Sequence, residues 1–259
     1  MRVRICGVVL LCLLFAGSAF AQEPVRAADA FSRKNTWTVF AEYSNDSSHI
    51  LMGYAEQRKI ADAGVSYSRR VVRFLGSDLS YLVEVRPVLF ESDPIATLTA
   101  TINGQPVDIV TATGPPSASI TSAVIYKCIP SSGSETFPGN QPGSPPIVED
   151  YSFACGRQWT FGQAFSPLGF KYSMRTRHRV QPFVVGTLGY MYTSRPVPVA
   201  DAEAFNFVFD FGAGVEVFRS DKRSVALECR YHHFSNRDTA EVNPGVDSLM
   251  FKASYSFGR

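Results

Sequence analysis

The sequence predicts an all-β chain, an eight-stranded antiparallel transmembrane β-barrel with a long insertion after its third strand. Apolar residues recur with a period of two along most of the chain, the pattern of strands with one greasy face. Most candidate strands exceed the ~5–6 residues of soluble strands and reach the ~9–11 that a tilted membrane strand needs. The connections alternate short and long, as in a barrel with tight inner turns and long outer loops. At 45% hydrophobic and 19% charged residues the chain is also too apolar for a disordered protein.

Residues 1–21, MRVRICGVVLLCLLFAGSAFA, read as a secretory signal peptide. Arg2 and Arg4 form a positive start, residues 5–16 an apolar run, and Ala19-Phe20-Ala21 a small-residue cleavage site. Residues 22–259 are then expected as a single barrel domain. Losing Arg2 and Arg4 leaves the basic residues equal in number to the 23 acidic ones, so the basic patch of a nucleic-acid binder is not expected. Of the five cysteines, Cys128, Cys155 and Cys229 remain. In an oxidising exported compartment Cys128 and Cys155 are available to form a disulfide. None of the three has CxxC spacing, so a metal site is not expected. No other apolar run reaches the length of a membrane helix, which leaves a soluble exported chain or one that spans as strands.

The eight candidate strands are 36–45, 58–71, 77–91, 164–175, 180–194, 204–218, 224–236 and 246–257. In the third, Leu79, Tyr81, Val83, Val85 and Leu89 oppose Asp78, Ser80, Glu84 and Arg86. In the sixth, Phe205, Phe207, Phe209 and Phe211 stand on one face and Asn206 and Asp210 on the other. The connections 72–76, 176–179 and 219–223 are short. Their charges, Arg175, Arg177, His178 and Arg179 among them, read as solvated turns. With both termini on the inner side, every long connection falls outside. A lipocalin-like or sandwich fold does not require that alternation. The insertion, about 92–163, contains a Pro/Gly/Ser-rich stretch over 130–146, which is loop chemistry, and a small hairpin over 95–112 turning at Asn103-Gly104. Inward-facing Glu42, Glu84, Arg86, Asp210, Glu216, Glu228 and Arg230 predict a buried ion network that fills the barrel.

One segment carries chemistry. On the seventh strand Val225, Leu227, Cys229, Tyr231, His233 and Ser235 share the apolar, outward face; on the eighth, Asp247 begins the face that continues through Leu249 and Phe251. His233, Ser235 and Asp247 therefore share the lipid-contacting side at the outer rim, where polar groups are costly. Residues i and i+2 lie ~6.5–7 Å apart and a neighbouring strand ~5 Å away, so a carboxylate there reaches the imidazole. A hydroxyl, a base and an acid are the parts of a nucleophilic relay. Ordinary interfacial residues at strand ends are the competing reading. His232 points inward as a satisfied interior histidine, and His49 stands alone in the first outer loop as a solvated one.

His233-Phe-Ser235-Asn236, followed by Asn243-Pro-Gly245-Val-Asp247, closely resembles the signature of the outer-membrane lipid A 3-O-deacylases, the PagL family. The resemblance covers roughly 36–91 and 164–257 and is strong over the last 30 or so residues. It implies an eight-stranded barrel in the bacterial outer membrane and a serine esterase that needs no metal or cofactor. Ser235 would be the nucleophile, His233 the base and Asp247 the orienting acid, with Asn236 and Asn243 as candidates for an oxyanion or substrate contact. The acid is Asp where the best-known members have Glu; Glu241 is the alternative. The implied substrate is lipid A, or lipopolysaccharide, in the outer leaflet, with release of an ester-linked acyl chain. Homodimerisation is left open. The rival expectation is a non-catalytic outer-membrane barrel, an adhesin or binding protein working through the 92–163 loop.

Overall fold

In a computed structural model, residues 31–110, 115–141 and 143–259 are described. The signal-peptide reading of 1–21 lies outside them. Among the described residues every regular element is a strand. They are β1 (Asn35–Ser44), β2 (Lys59–Phe74), β3 (Ser77–Ile102), β4 (Gln105–Pro106), β5 (Ser119–Ala123), β6 (Ser131–Phe137), β7 (Ile147–Ser173), β8 (Val180–Val197), β9 (Glu203–Ser220), β10 (Arg223–Ser235) and β11 (Val246–Gly258).

Eight of these close a ring. The order runs β1-β2-β3-β7-β8-β9-β10-β11, and β11 pairs back onto β1 through Thr36↔Gly258 to Tyr43↔Phe251. Every ladder in the ring is antiparallel. Closure leaves the ring itself without a free edge, which a hydrocarbon environment demands. The period-two faces land where the pattern puts them. Phe205, Phe207 and Phe211 are exposed on β9, while Asn206, Val208 and Asp210 are buried. The outward band carries Trp37, Val39, Tyr43, Phe90, Phe161, Leu188, Tyr190, Leu227 and Phe251. An apolar outside on a closed barrel is a surface made for lipid.

The interior is layered. In the middle Arg86 contacts Glu42 at 3.1 Å, Asp210 at 2.9 Å and Glu84 at 3.2 Å, and Arg230 and Lys252 both contact Glu84. Glu228 contacts Arg230, and Asp62 and Lys252 join residues that the alternation already placed inside. Glu216 serves a second layer at the turn end, where it meets Lys171 at 2.6 Å and Arg33. Phe31 packs on Phe218 there, and both rings are buried. At the loop end Ile60, Leu89, Met191, Val208, Phe234 and Met250 form an apolar layer. Arg175, Arg177 and Arg179 are exposed at the β7–β8 turn.

The segment 92–163 is more ordered than loop chemistry suggests. The β3–β7 ladder does not stop at the rim; it continues from Ser92↔Trp159 to Ile102↔Glu149. β5 joins its β3 side over Ile95–Thr99, and β6 joins its β7 side over 147–153. The result is a four-stranded sheet, β5-β3-β7-β6, standing on the barrel. Asn103 and Gly104, at φ 52° and 76°, make the tight turn into β4, but β3 pairs with only two residues beyond it. Cys128 and Cys155 are disulfide-bonded and tie the β5–β6 connection to β7.

Candidate active site

β10 and β11 are paired so that His233 lies directly opposite Asp247. Alternation puts Tyr231, His233 and Ser235 in one outward row on β10. His233 Nδ1 lies 2.7 Å from Asp247 Oδ1, and His233 Nε2 lies 3.3 Å from Ser235 Oγ. The carboxylate only accepts, so the imidazole carries its proton on Nδ1 and leaves Nε2 to accept from the serine hydroxyl. The imidazole thus sits between an acid and a hydroxyl. Asp247, and not Glu241, is the carboxylate at the ring; Glu241 is exposed in the 236–245 loop.

The expectation that all three groups contact lipid is corrected. Asp247 is fully buried, His233 nearly so, and Ser235 half-buried. The cover is the first outer loop, residues 45–58, which folds back over the outward face of β11. Leu51 N–H and Met52 N–H donate to Asp247 Oδ2 at 2.6 and 2.9 Å. Ser48 N–H donates to the Asp247 carbonyl, and Tyr54 N–H and Ala55 N–H donate to the carbonyls of Pro244 and Gly245. The polar groups on an otherwise greasy face are therefore sheltered by polar backbone, which removes the cost that made them odd.

Two glycines permit this approach. A Cβ on Gly53 would lie 2.7 Å from the backbone nitrogen of Asp247. Gly245 sits at φ +58°, and its Cβ would meet His233 Cε1 and Gly53 Cα at 3.2 Å. His49, exposed, is bound through Nδ1 to the Gly53 carbonyl at 2.9 Å and so braces the loop, where the sequence left it merely solvated.

Sequence reasoning also missed Tyr231 as a partner. Its hydroxyl donates to Asp247 Oδ1 at 2.8 Å, and its ring lies nearly parallel to the imidazole, 9° off, with centroids 6.4 Å apart. Four donors converge on one carboxylate: His233, Tyr231 and two backbone amides. The signal for Tyr231 was its place two residues before His233 on the same face. The backbone donors left no sequence signal, because any residue type supplies them.

Asn236 and Asn243 are both beside the site but are committed to the loop. Asn236 Nδ2 donates to the Val242 carbonyl at 2.8 Å, and its Oδ1 accepts from Asp238 N–H. Asn243 Oδ1 accepts from Asn236 N–H, and its Nδ2 donates to Asp238 Oδ1 at 2.9 Å. As they stand these amides hold the 236–243 turn; neither is aimed at Ser235.

One comparison with known proteins takes in the motif. Residues 143–256, from the start of β7 almost to the end of β11, match the sequence model of the family described as lipid A 3-O-deacylase (PagL). That stretch contains His233, Ser235, Asn236, Asn243 and Asp247. Among solved structures the chain is similar to the crystal structure of the outer membrane enzyme PagL, at 11% identity over 86% of this chain and 99% of that one, with a TM-score of 0.46. It is also similar to Neisserial surface protein A (NspA), at 11% identity over 87% and 97%, with a TM-score of 0.39. No curated protein sequence matches the chain.

Proposed function

We propose that this chain is an outer-membrane esterase of the lipid A deacylase type, which removes an ester-linked acyl chain, the 3-O-acyl chain, from lipid A in the outer leaflet. The observation that carries the reading is the imidazole of His233, held by Asp247 on one nitrogen and facing Ser235 on the other, on the side of the barrel that lipid reaches. The match of 143–256 to the deacylase family supports it.

Ser235 Oγ attacks the ester carbonyl while His233 Nε2 takes its proton. The imidazolium returns that proton to the departing sugar oxygen, and an acyl-serine remains. Water, deprotonated by the same nitrogen, then releases the fatty acid. Asp247 keeps the imidazole in the required tautomer and stabilises its charged form. The 3.3 Å separation of Nε2 and Oγ is the loose contact usual without substrate, and it tightens when a carbonyl is engaged. Of the two asparagines, Asn243 is the better oxyanion donor. Its Nδ2 is bonded to the exposed Asp238 and turns to a substrate at little cost, whereas the Asn236 amide is buried on a backbone carbonyl.

The test is mass spectrometry of lipid A from cells expressing this chain, beside cells expressing Ser235→Ala. Loss of one hydroxyacyl mass with the wild type alone supports both the activity and the nucleophile. Loss with both proteins removes Ser235 from its role. No loss with either, from correctly inserted and heat-modifiable protein, turns the reading to a non-catalytic barrel.

A further inference from the structure

The 93–158 sheet and the first outer loop meet around one side chain. Arg58 is fully buried and closes that loop. Its guanidinium has five N–H donors, and each has an acceptor. Nε donates to Asp93 Oδ1 on β3 at 3.1 Å. Nη1 donates to the carbonyls of Glu56 and Ile125, both at 2.6 Å. Nη2 donates to the carbonyls of Val124, at 2.6 Å, and Pro198, at 3.2 Å. One residue thus joins the first loop, the strand that leaves the barrel, the segment after β5 and the β8–β9 connection.

The docking is reinforced on either side of it. Glu56 N–H donates to the Ile125 carbonyl, Lys127 N–H to Glu56 Oε2, and Cys128 N–H to Gln57 Oε1 at 2.9 Å. Cys128 is the residue the disulfide ties to β7. On the other flank Arg58 N–H donates to Ser47 Oγ, which itself donates to the Ala55 carbonyl. Between those anchors, at 47 and 55–58, lie Leu51, Met52 and Gly53, the residues laid over Asp247.

We propose that Arg58 is a positioning residue for the reaction at Ser235, and that the sheet built from the insertion is the support against which it holds the first loop. None of the hydrogen bonds described for Arg58 goes to Ser235, His233 or Asp247. It fixes the ends of the segment whose amides hold Asp247, and Asp247 in turn orients His233. The inference rests on the reading of Ser235, His233 and Asp247 given above, and it assigns the insertion a part in catalysis without any residue of it reaching the substrate.

Lysine is the informative replacement. It keeps the charge, but its three donors radiate from one point and cannot span four acceptor-bearing segments. Wild type, Arg58→Lys, Asp247→Asn and the double variant are compared in detergent for fatty-acid release from lipopolysaccharide and for amide exchange. With Arg58→Lys, the expected results are a kcat about 10- to 100-fold lower with KM little changed, faster exchange at Leu51 and Met52, and unchanged exchange in the barrel strands. In the Asp247→Asn background the same change removes little further activity, because the group it acts through is already gone. Full kcat with Arg58→Lys, slow exchange at Leu51 and Met52, or losses that multiply independently would overturn the proposal. If Arg58→Lys fails to fold, Cys128→Ser/Cys155→Ser loosens the same support from its far side and is read in the same way. Absence of deacylation by the wild type itself defeats the reading of the site and leaves amide exchange to decide whether Arg58 holds the loop.

Discussion

Two adjacent histidines on β10 make nearly the same contact in different surroundings. His232 points into the barrel, with Nδ1 2.6 Å from Asp210 Oδ1; His233 points out, with Nδ1 2.7 Å from Asp247 Oδ1. Both are buried imidazole–carboxylate pairs. Beyond the ring they diverge. Among the described residues His232 Nε2 has no hydrogen-bonding partner, so the expected satisfied histidine is satisfied on one nitrogen only, and its carboxylate also holds Arg86 and Thr187 in the packed interior. His233 Nε2 has a hydroxyl before it, and that hydroxyl is half open to the surroundings. The dyad alone is therefore structural chemistry. The site proposed above needs what His233 has in addition, a hydroxyl at Nε2 that is half open to the surroundings.

The largest expected effect separates the two rings: Ser235→Ala and His233→Ala lower deacylation by about 10³- to 10⁶-fold, whereas His232→Ala stays within a few-fold of wild type when corrected for folded protein. Fatty-acid release from heat-modifiable barrel measures this, and equal losses at 232 and 233 would erase the distinction. Next is the shelter that only the outer ring has. Gly53→Ala places a Cβ against the Asp247 backbone and is expected to lower kcat about 10- to 100-fold while the barrel folds as before. Unaltered kcat would show that the cover over Asp247 has no part in turnover.

Stability reverses the ranking. His232→Ala removes one partner of a buried carboxylate and is expected to destabilise the barrel by about 1–3 kcal/mol. His233→Ala, at the rim, costs less. Urea unfolding of the detergent-solubilised barrel reads both, and a larger loss at 233 would place the structural burden outside. Smallest is Tyr231→Phe, which removes one of four donors from Asp247. A decrease in kcat of about five-fold, from a hydrogen bond of about 1 kcal/mol, is expected, with no change in insertion.

The ring of eight strands was legible because each strand has two solvents, lipid outside and a polar filling within, and this forces the alternation. Phe205 to Phe211 could hardly be read otherwise. The pair His233 and Ser235 was legible for the same reason, as polar residues on the greasy parity. The extensions of β3 and β7 were not, because above the rim water lies on both faces and no grease marks them. There Thr97, Thr99 and Thr101 alternate with Ala96, Leu98 and Ala100, a weak contrast beside a Pro- and Ser-rich stretch. The loop over Asp247 was invisible for a different reason: it acts through main-chain N–H groups. The asparagines were ambiguous in sequence because their residue type fits an oxyanion site and a tight turn equally well, and only the folded 236–243 segment shows the turn bonds they make.

The support for Asp247 also separates two demands that most binding clefts impose on the same atoms. At Leu51 and Met52 the amides face the carboxylate, while the residues as a whole are 68% and 54% exposed. Almost any residue except proline preserves those amides. On the esterase reading proposed above, the rim over Asp247 is thus open to drift: its side chains can be exchanged for bulkier, smaller or charged ones, retuning which lipid is admitted, while the amides beneath stay as they are.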